Sequence, residues 1–167
     1  MTTVVCCPGG NRARDVIELR SLVELSALRR LAERGLRDED MEAMRRLAAA
    51  TMRSALSSDG RGYRRADVAF HRQLLALTGD RALLQAGRSL VAASVEPRPC
   101  ADQGPCADQG PCVHPGQSAG LAANGAREHA QLLTMLADDD WSAADDLLRR
   151  HIAGSPPGRD GGPWPIG

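Results

Sequence analysis

The stretch Asp67-Val68-Ala69-Phe70-His71 decides how the chain folds, because it places a carboxylate and an imidazole four residues apart. On a helix, such residues project from one face about one turn apart. At ~100° per residue, the apolar Leu74 and Leu75 fall on that same face, whereas Arg65 falls on the opposite one. Burying a carboxylate and an imidazole without partners would be costly. The pattern therefore predicts that other groups in the fold satisfy both side chains.

Two later histidines lie on apolar helix faces in the same way. His129 shares its helix face with Leu132, Leu133 and Leu136. His151 shares its helix face with Ala144, Leu147 and Leu148. The polar run 138–140 between them suits the turn of an αα-hairpin. Because both histidines are about equally far from this turn, the hairpin predicts that they lie side by side at its open end.

If that end meets the Asp67/His71 helix, one carboxylate and three imidazoles converge. Such a set is a recognisable group of ligands for a divalent transition metal, with room for a water or a ligand oxygen. A single inward histidine is usually a hydrogen-bonded core residue, and an Asp/His pair at this spacing is often a surface pair. Three of the four histidines on apolar faces favour the metal interpretation, with Asp67, His71, His129 and His151 as ligands.

Composition excludes several classes of protein. The 167 residues fit one domain, and the 21 basic and 21 acidic side chains cancel, unlike the basic footprint of a nucleic-acid binder. No segment reaches the ~18–20 apolar residues needed to span a bilayer, and the N-terminus has no signal-peptide pattern. Five cysteines, an odd number, favour a reduced protein. We therefore expect a cytoplasmic protein without a membrane segment.

Helical periodicity without strand signals predicts an all-α protein, an antiparallel bundle of about six helices with a central metal/ligand cavity. Residues 1–12 are expected to be irregular, and residues 13–153 to form the helical domain, with Asp38 capping the second helix. Within it, residues 96–124 contain a Pro/Cys/Gly-rich repeat and are expected to form a loop. We expect residues 154–167 to be a disordered tail, and we assign His114 no role.

Several motifs together resemble a known family. Glu18-Leu19-Arg20-Ser21-Leu22-Val23-Glu24 leads into Ala27-Leu28-Arg29-Arg30-Leu31-Ala32. The motifs Asp67-x-x-Phe70-His71-x-x-Leu74, Thr78-Gly79-Asp80-x-x-Leu83, Glu128-His129 and His151 then follow. In order and spacing, these motifs are similar to the C-terminal ligand-binding domain of FadR-type regulators in the GntR family of bacterial transcription factors. The resemblance covers about residues 14–95 and 126–152.

This resemblance implies a helical bundle that senses an effector rather than an enzyme. In many members, an Asp and three His hold zinc, nickel or manganese, and the metal helps to bind a small organic acid. The matching residues are Asp67, His71, His129 and His151. Arg20 matches an arginine that can face the cavity and bind a carboxylate; a solvent-exposed arginine is the equally open alternative.

GntR regulators carry a winged helix-turn-helix before this domain, and here only about a dozen residues precede the first predicted helix. We therefore expect that this chain alone does not bind DNA, and that it forms a homodimer or a heterodimer with a full-length regulator. Two other functions stay open. One is a small metalloprotein or hydrolase, with Glu128 as the candidate base. The other is a non-functional truncated regulator whose repeat prevents the bundle from closing.

Overall fold

A computed structural model describes residues 9–95 and 115–154, and in these residues every regular element is an α-helix. The six helices are α1 (Gly9–Arg34), α2 (Asp38–Leu56), α3 (Gly60–Leu77), α4 (Arg81–Val95), α5 (Pro115–Ala137) and α6 (Trp141–Ala153). The prediction of an all-α bundle of about six helices is confirmed. None of the described helices is long and apolar enough to cross a bilayer.

Three short turns fold the chain into αα-hairpins, and an aspartate starts the second helix of each. Asp59 accepts a hydrogen bond from the backbone N–H of Gly62 before α3, at 2.9 Å. Asp80 and Asp140 do the same for the third residues of α4 and α6, at 3.0 and 3.1 Å. These carboxylates satisfy backbone donors that a helix start leaves unpaired. The turns make α2 and α3, α3 and α4, and α5 and α6 antiparallel neighbours.

Helix α3 lies at the centre of the bundle, in contact with α1, α2, α4 and α5. The main apolar core lies between α1, α2, α3, α5 and α6, and a smaller cluster fills the space between α1, α3 and α4. Fully buried side chains such as Phe70, Leu74 and Leu132 belong to the main core. Truncating one of them to alanine would cost about 2–5 kcal/mol. The core therefore fixes α3, which carries the first two candidate ligands.

The apolar stripe that the sequence predicts along α1 is only partly confirmed. It comprises Val16, Leu19, Val23, Ala27, Leu28 and Leu31; the last three are buried, but Leu19 is 51% exposed. Instead Arg20 (5% exposed) and Glu24 (0% exposed) point into the bundle above the buried Leu28. The three inward residues 20, 24 and 28 are spaced by four, so one helix face carries both the ion pair and the apolar packing.

Two predicted boundaries are wrong. Helix α1 begins at Gly9 rather than at Ala13, inside the segment that the sequence predicts to be irregular. Helix α5 begins at Pro115, so residues 115–124 are helical although the sequence predicts them to belong to the repeat loop. Proline is well suited to the first position of a helix, and no further proline interrupts the chain before α5 ends. The repeat itself, His114 and the tail from 155 to 167 lie outside the described residues.

The start of α2 also corrects the prediction that Asp38 is its cap. The cap position is Arg37, and Asp40 in the first turn accepts hydrogen bonds from the Arg37 backbone N–H and side chain. The Arg34 side chain donates a further hydrogen bond to the same carboxylate at 3.3 Å. The hydrogen bonds from Arg37 hold the pKa of Asp40 below its ordinary value.

Replacing Asp40 by asparagine is expected to lower the free energy of unfolding by about 1 kcal/mol at pH 7, since hydrogen bonds to a charged acceptor are lost. Because the folded-state pKa lies below the ordinary value of 3.8, the stabilisation is complete above that value and disappears as the pH falls below it. Urea unfolding of both proteins between pH 7 and pH 3 measures this. The matched control is Glu42→Gln, in an exposed pair with Arg46. An equal loss in both variants would contradict the prediction.

Candidate metal centre

Three helices bring the four predicted ligands to one point. Asp67 and His71 come from α3, His129 from α5 and His151 from α6, and one ligand atom of each lies within 4.8 Å of all the others. Asp67, His71 and His129 are buried, and His151 is nearly so. The α5–α6 hairpin sets His129 and His151 side by side, as their distances from the turn predict.

The spacing of the donor atoms suits a metal ion. The three Nε2 atoms are 3.0, 3.2 and 3.3 Å apart, and Oδ1 of Asp67 lies 3.4, 3.7 and 3.9 Å from them. Ligands at the corners of a tetrahedron with metal bonds of 2.0–2.1 Å are about 3.3 Å apart. These residues could therefore hold a divalent metal with little rearrangement.

The Nδ1 atom of each imidazole, the ring nitrogen that faces away from the cluster, has a hydrogen-bond partner. Nδ1 of His71 lies 2.6 Å from the Glu24 carboxylate, and Nδ1 of His151 lies 2.7 Å from the Glu128 carboxylate. Nδ1 of His129 lies 3.2 Å from the hydroxyl of Thr51. Partners of this kind orient metal-binding histidines and raise their basicity.

These partners fix which nitrogen carries the proton. A carboxylate can only accept, so Nδ1 of His71 and of His151 must donate. The Thr51 hydroxyl donates its only hydrogen to the Ala48 carbonyl at 2.7 Å. It must therefore accept a hydrogen bond from Nδ1 of His129. In the neutral state, all three Nε2 atoms therefore turn lone pairs towards the same point, an arrangement that a cation stabilises and that is repulsive without one.

A buried ion pair extends the centre to α1 and α4. The Arg20 guanidinium donates from Nε to Glu24 at 2.6 Å and from a terminal nitrogen to the hydroxyl of Ser94 at 2.7 Å. Burial raises the pKa of Glu24, but the charges of His71 and Arg20 outweigh this and lower it to about 2. The second terminal nitrogen of Arg20 is buried and has no hydrogen-bond partner among the described residues.

The same contacts shift the pKa values of the candidate ligands. Burial raises the pKa of Asp67, but the three imidazoles outweigh it and hold this pKa well below its ordinary value. For His71, burial lowers the pKa, but the carboxylates of Glu24 and Asp67 together outweigh burial and raise the pKa above its ordinary value. Burial and the neighbouring imidazoles hold the pKa of His129 well below its usual range, so this ring is neutral.

Tyr63 and Gly125 lie one helical turn before two of the candidate ligands and form a layer beside the centre. Tyr63 precedes Asp67 by four residues on α3, and Gly125 precedes His129 by four on α5. A Cβ atom on Gly125 would collide with the Tyr63 hydroxyl oxygen and lie 3.5 Å from Cε1 of His151, so the glycine makes room for the hydroxyl beside the centre. Burial, with the carboxylates of Asp67 and Glu128, raises the pKa of Tyr63, which keeps the hydroxyl protonated at neutral pH.

The aromatic ring of Phe70 packs against two of the candidate histidine ligands. The ring of Phe70 stacks on that of His129 with centroids 3.9 Å apart and an interplanar angle of 13°, and it meets His71 edge-on. Phe70 is fully buried in the main core. Apolar packing therefore fixes the plane of the His129 ring, and the hydrogen bond to Thr51 fixes its rotation.

The sequence points to the four candidate ligands and to Arg20, but not to Glu24, Thr51 and Tyr63. Glu24 carries a usable signal, because it stands between Arg20 and Leu28 on the inward face of α1. The sequence offers Glu128 as a free base pointing away from His129, and in the structure its carboxylate accepts from His151 instead. Thr51 and Tyr63 carry no comparable signal, since their roles depend on contacts with other helices.

Comparison with known proteins gives a family match that covers most of the chain. A family model described as the FCD domain matches residues 15–154. None of the curated proteins matches the chain. The matched range includes all six described helices for most of their length, and all four candidate ligands. The chain therefore belongs to the FCD domain family, the C-terminal effector-binding regulatory domains of GntR-type transcription factors.

Proposed function

We propose that this chain is the effector-sensing domain of a GntR/FadR-type bacterial transcriptional regulator, which binds a divalent metal and a small organic acid and acts in the cytoplasm. The observation that carries the proposal is the convergence of three Nε2 lone pairs and one carboxylate oxygen, with every Nδ1 already satisfied. A chance cluster of core histidines would not require this complete set of supporting partners.

Charge balance supports a divalent ion. With neutral imidazoles, the carboxylates of Asp67, Glu24 and Glu128 face one guanidinium, Arg20, which leaves two uncompensated negative charges in a mostly buried cluster. Burying such charges without compensation is costly, and a divalent cation would neutralise them. Three nitrogen donors and one oxygen donor suit zinc or nickel better than manganese, which prefers oxygen.

Arg20 is the proposed site for the carboxylate of the acid. Arg20 is 5% exposed, and its guanidinium is fixed by Glu24 and Ser94. Its remaining terminal nitrogen has no hydrogen-bond partner in the described part of the chain. A buried donor without a partner costs about 1–3 kcal/mol, which a bound carboxylate would recover. A guanidinium already oriented by two contacts loses little freedom on binding.

Titration calorimetry of zinc-loaded protein with a panel of small mono- and dicarboxylic acids tests this site. We expect that at least one acid binds and that the metal-free protein binds the same acid at least tenfold more weakly. Arg20→Lys should also lower the affinity for this acid at least tenfold, because lysine lacks the planar pair of donors that a guanidinium presents to a carboxylate. Arg29→Lys, on the same helix but 69% exposed at its side chain, is the control. Equal binding by Arg20→Lys and wild type would contradict the assignment.

The arrangement of the centre also suggests how binding would be transmitted. Each helix contributes a group to it: Glu24 from α1, Thr51 from α2, His71 from α3, Ser94 from α4, with His129 and His151 from α5 and α6. A ligand that binds one arrangement of these helices better than another shifts the population towards it. We propose that two copies associate and pass this shift to paired DNA-reading heads; light scattering of metal-loaded protein tests the association.

The alternative of a metal-dependent hydrolase has less support. Such an enzyme needs a base near the metal-bound water. Glu128, the candidate for that role, instead holds His151 in place at 2.7 Å. The alternative of a non-functional remnant is also disfavoured, because the donor set and its supporting partners are all present.

A further inference from the structure

The Tyr63 hydroxyl lies beside the candidate metal centre and has no role in the function proposed above. Tyr63 is half-buried, lies one turn from Asp67 and places its hydroxyl in the gap above Gly125, next to Cε1 of His151. That carbon adjoins Nε2, the nitrogen that faces the metal. The hydroxyl therefore lies beside the centre rather than on the outer surface of α3.

Arg20 approaches the centre from α1. It precedes Glu24 by one turn, and Glu24 contacts His71 on α3, so Arg20 lies about level with Asp67 and one turn from Tyr63. Further along α1, Arg30 contacts Asp80 just beyond the end of α3, so the two helices run in the same direction. The positive charge of Arg20 slightly offsets the rise in the pKa of Tyr63 that burial causes. Two donors, a guanidinium and a phenol, thus lie on the same side of the centre.

The Arg20 donor is not satisfied by the described protein. Its remaining terminal nitrogen is buried and has no hydrogen-bond partner in the described part of the chain. A buried donor of this kind is costly unless something accepts from it. One bound acid with two separate acceptor groups could accept from this nitrogen and from the Tyr63 hydroxyl.

We propose that Tyr63 is a specificity-determining residue of the effector site: its hydroxyl donates a hydrogen bond to a second oxygen of an acid whose first carboxylate binds at Arg20. This inference rests on the proposed function, because it requires an acid at the centre. It restricts the effector to acids with a second oxygen-bearing group. A site built to hydrogen-bond a polar group discriminates against ligands that lack it, since its own donor is then left unpaired.

Gly125 affects the position of the Tyr63 hydroxyl. A Cβ atom at this position would overlap the hydroxyl oxygen, so even alanine collides with Tyr63. The glycine thus leaves room for the hydroxyl beside the centre. Phenylalanine at position 63 lacks that oxygen, so Tyr63→Phe should relieve the collision caused by Gly125→Ala. This pair of substitutions provides a double-mutant test of where the hydroxyl lies.

The experiment compares matched acids on the zinc-loaded protein, wild type against Tyr63→Phe. The pairs are butyrate with succinate, and propionate with lactate, in which one member adds a second oxygen group. We expect Tyr63→Phe to lose about tenfold in affinity for the oxygen-bearing member of the pair that binds and to leave the other member within about twofold. Metal content should be unchanged, since Tyr63 is not a ligand.

A second readout uses the fact that Tyr63 is the single tyrosine of the chain. Protein labelled with 3-fluorotyrosine gives one ¹⁹F resonance, which should shift when the oxygen-bearing acid is added and less with its partner. In Gly125→Ala the resonance should move before any acid is added, and Tyr63→Phe should restore the melting temperature of Gly125→Ala. Failure of that restoration would show that the hydroxyl does not occupy the gap.

Different failures have different meanings. If Tyr63→Phe keeps the wild-type preference, or weakens both acids of a pair equally, the role of Tyr63 is overturned while the acid site of the proposed function stands. If zinc-loaded wild type binds none of the four acids, the acid-binding half of the proposed function is overturned together with this inference.

Discussion

Removing the metal with a chelator is expected to lower the free energy of unfolding by several kcal/mol. With neutral imidazoles, the metal-free centre would hold three nitrogen lone pairs within 3.3 Å of one another and an excess of buried negative charge. By mass action, a metal present at about a thousand times its dissociation constant stabilises the folded state by about 4 kcal/mol. For a domain of this size, that corresponds to a drop in melting temperature on the order of 10 °C.

Calorimetric melting of zinc-loaded and chelator-treated protein, followed by re-addition of zinc, measures this effect. The control is His129→Ala, whose melting should not respond to zinc because one of the four candidate ligands is missing. Substituting His129 also removes the stacking partner of Phe70, so only the response to metal, and not the absolute melting temperature, is compared. A wild-type protein that melts at the same temperature with and without zinc would contradict the expectation.

Replacing Glu24 by alanine is expected to cost about 3–5 kcal/mol, because it leaves the Arg20 guanidinium buried without its carboxylate. The same change removes the acceptor of the His71 Nδ1 proton, so the imidazole loses its orientation. Loss of such a supporting partner typically weakens metal binding by about 10–100-fold. One substitution therefore affects both stability and zinc affinity, measured by urea unfolding and by competition with a zinc chelator.

The chain offers a close control for this change on the same helix. Glu18 pairs with Arg14 at the same spacing of four residues, but both side chains are more than half exposed. Glu18→Ala should change stability by less than about 0.5 kcal/mol and leave zinc affinity unchanged. Glu24→Gln separates charge from shape, since it keeps a hydrogen-bond acceptor for His71. If Glu24→Ala behaves like Glu18→Ala, the buried network does not support the centre.

The sequence predicts the candidate ligands because each carries two signals at once. Asp67, His71, His129 and His151 are polar residues on helix faces that are otherwise apolar, and the hairpin turn relates two of them. Burial of a polar side chain needs a partner, and helical periodicity indicates which residues are buried. These two rules are enough to bring residues from three helices together without knowing how the helices pack.

The supporting residues cannot be predicted in the same way. Glu24 and Arg20 are charged residues on a helix whose apolar stripe also fits a rotation that buries Leu19, and only packing against α3 and α4 selects the observed one. The predicted starts of α1 and α5 are misplaced for a related reason. Gly9 and Pro115 lie in glycine- and proline-containing sequence, where local propensity favours a loop although the helix continues.

The most direct test of the proposed centre is the amount of metal bound per chain, measured by elemental analysis of protein purified without a histidine tag. We predict close to one zinc or nickel ion per wild-type chain, and little metal in His71→Ala and in His129→Ala. Wild-type protein that holds no metal even after zinc or nickel is added, or variants that bind as much as wild type, would contradict the four-ligand site.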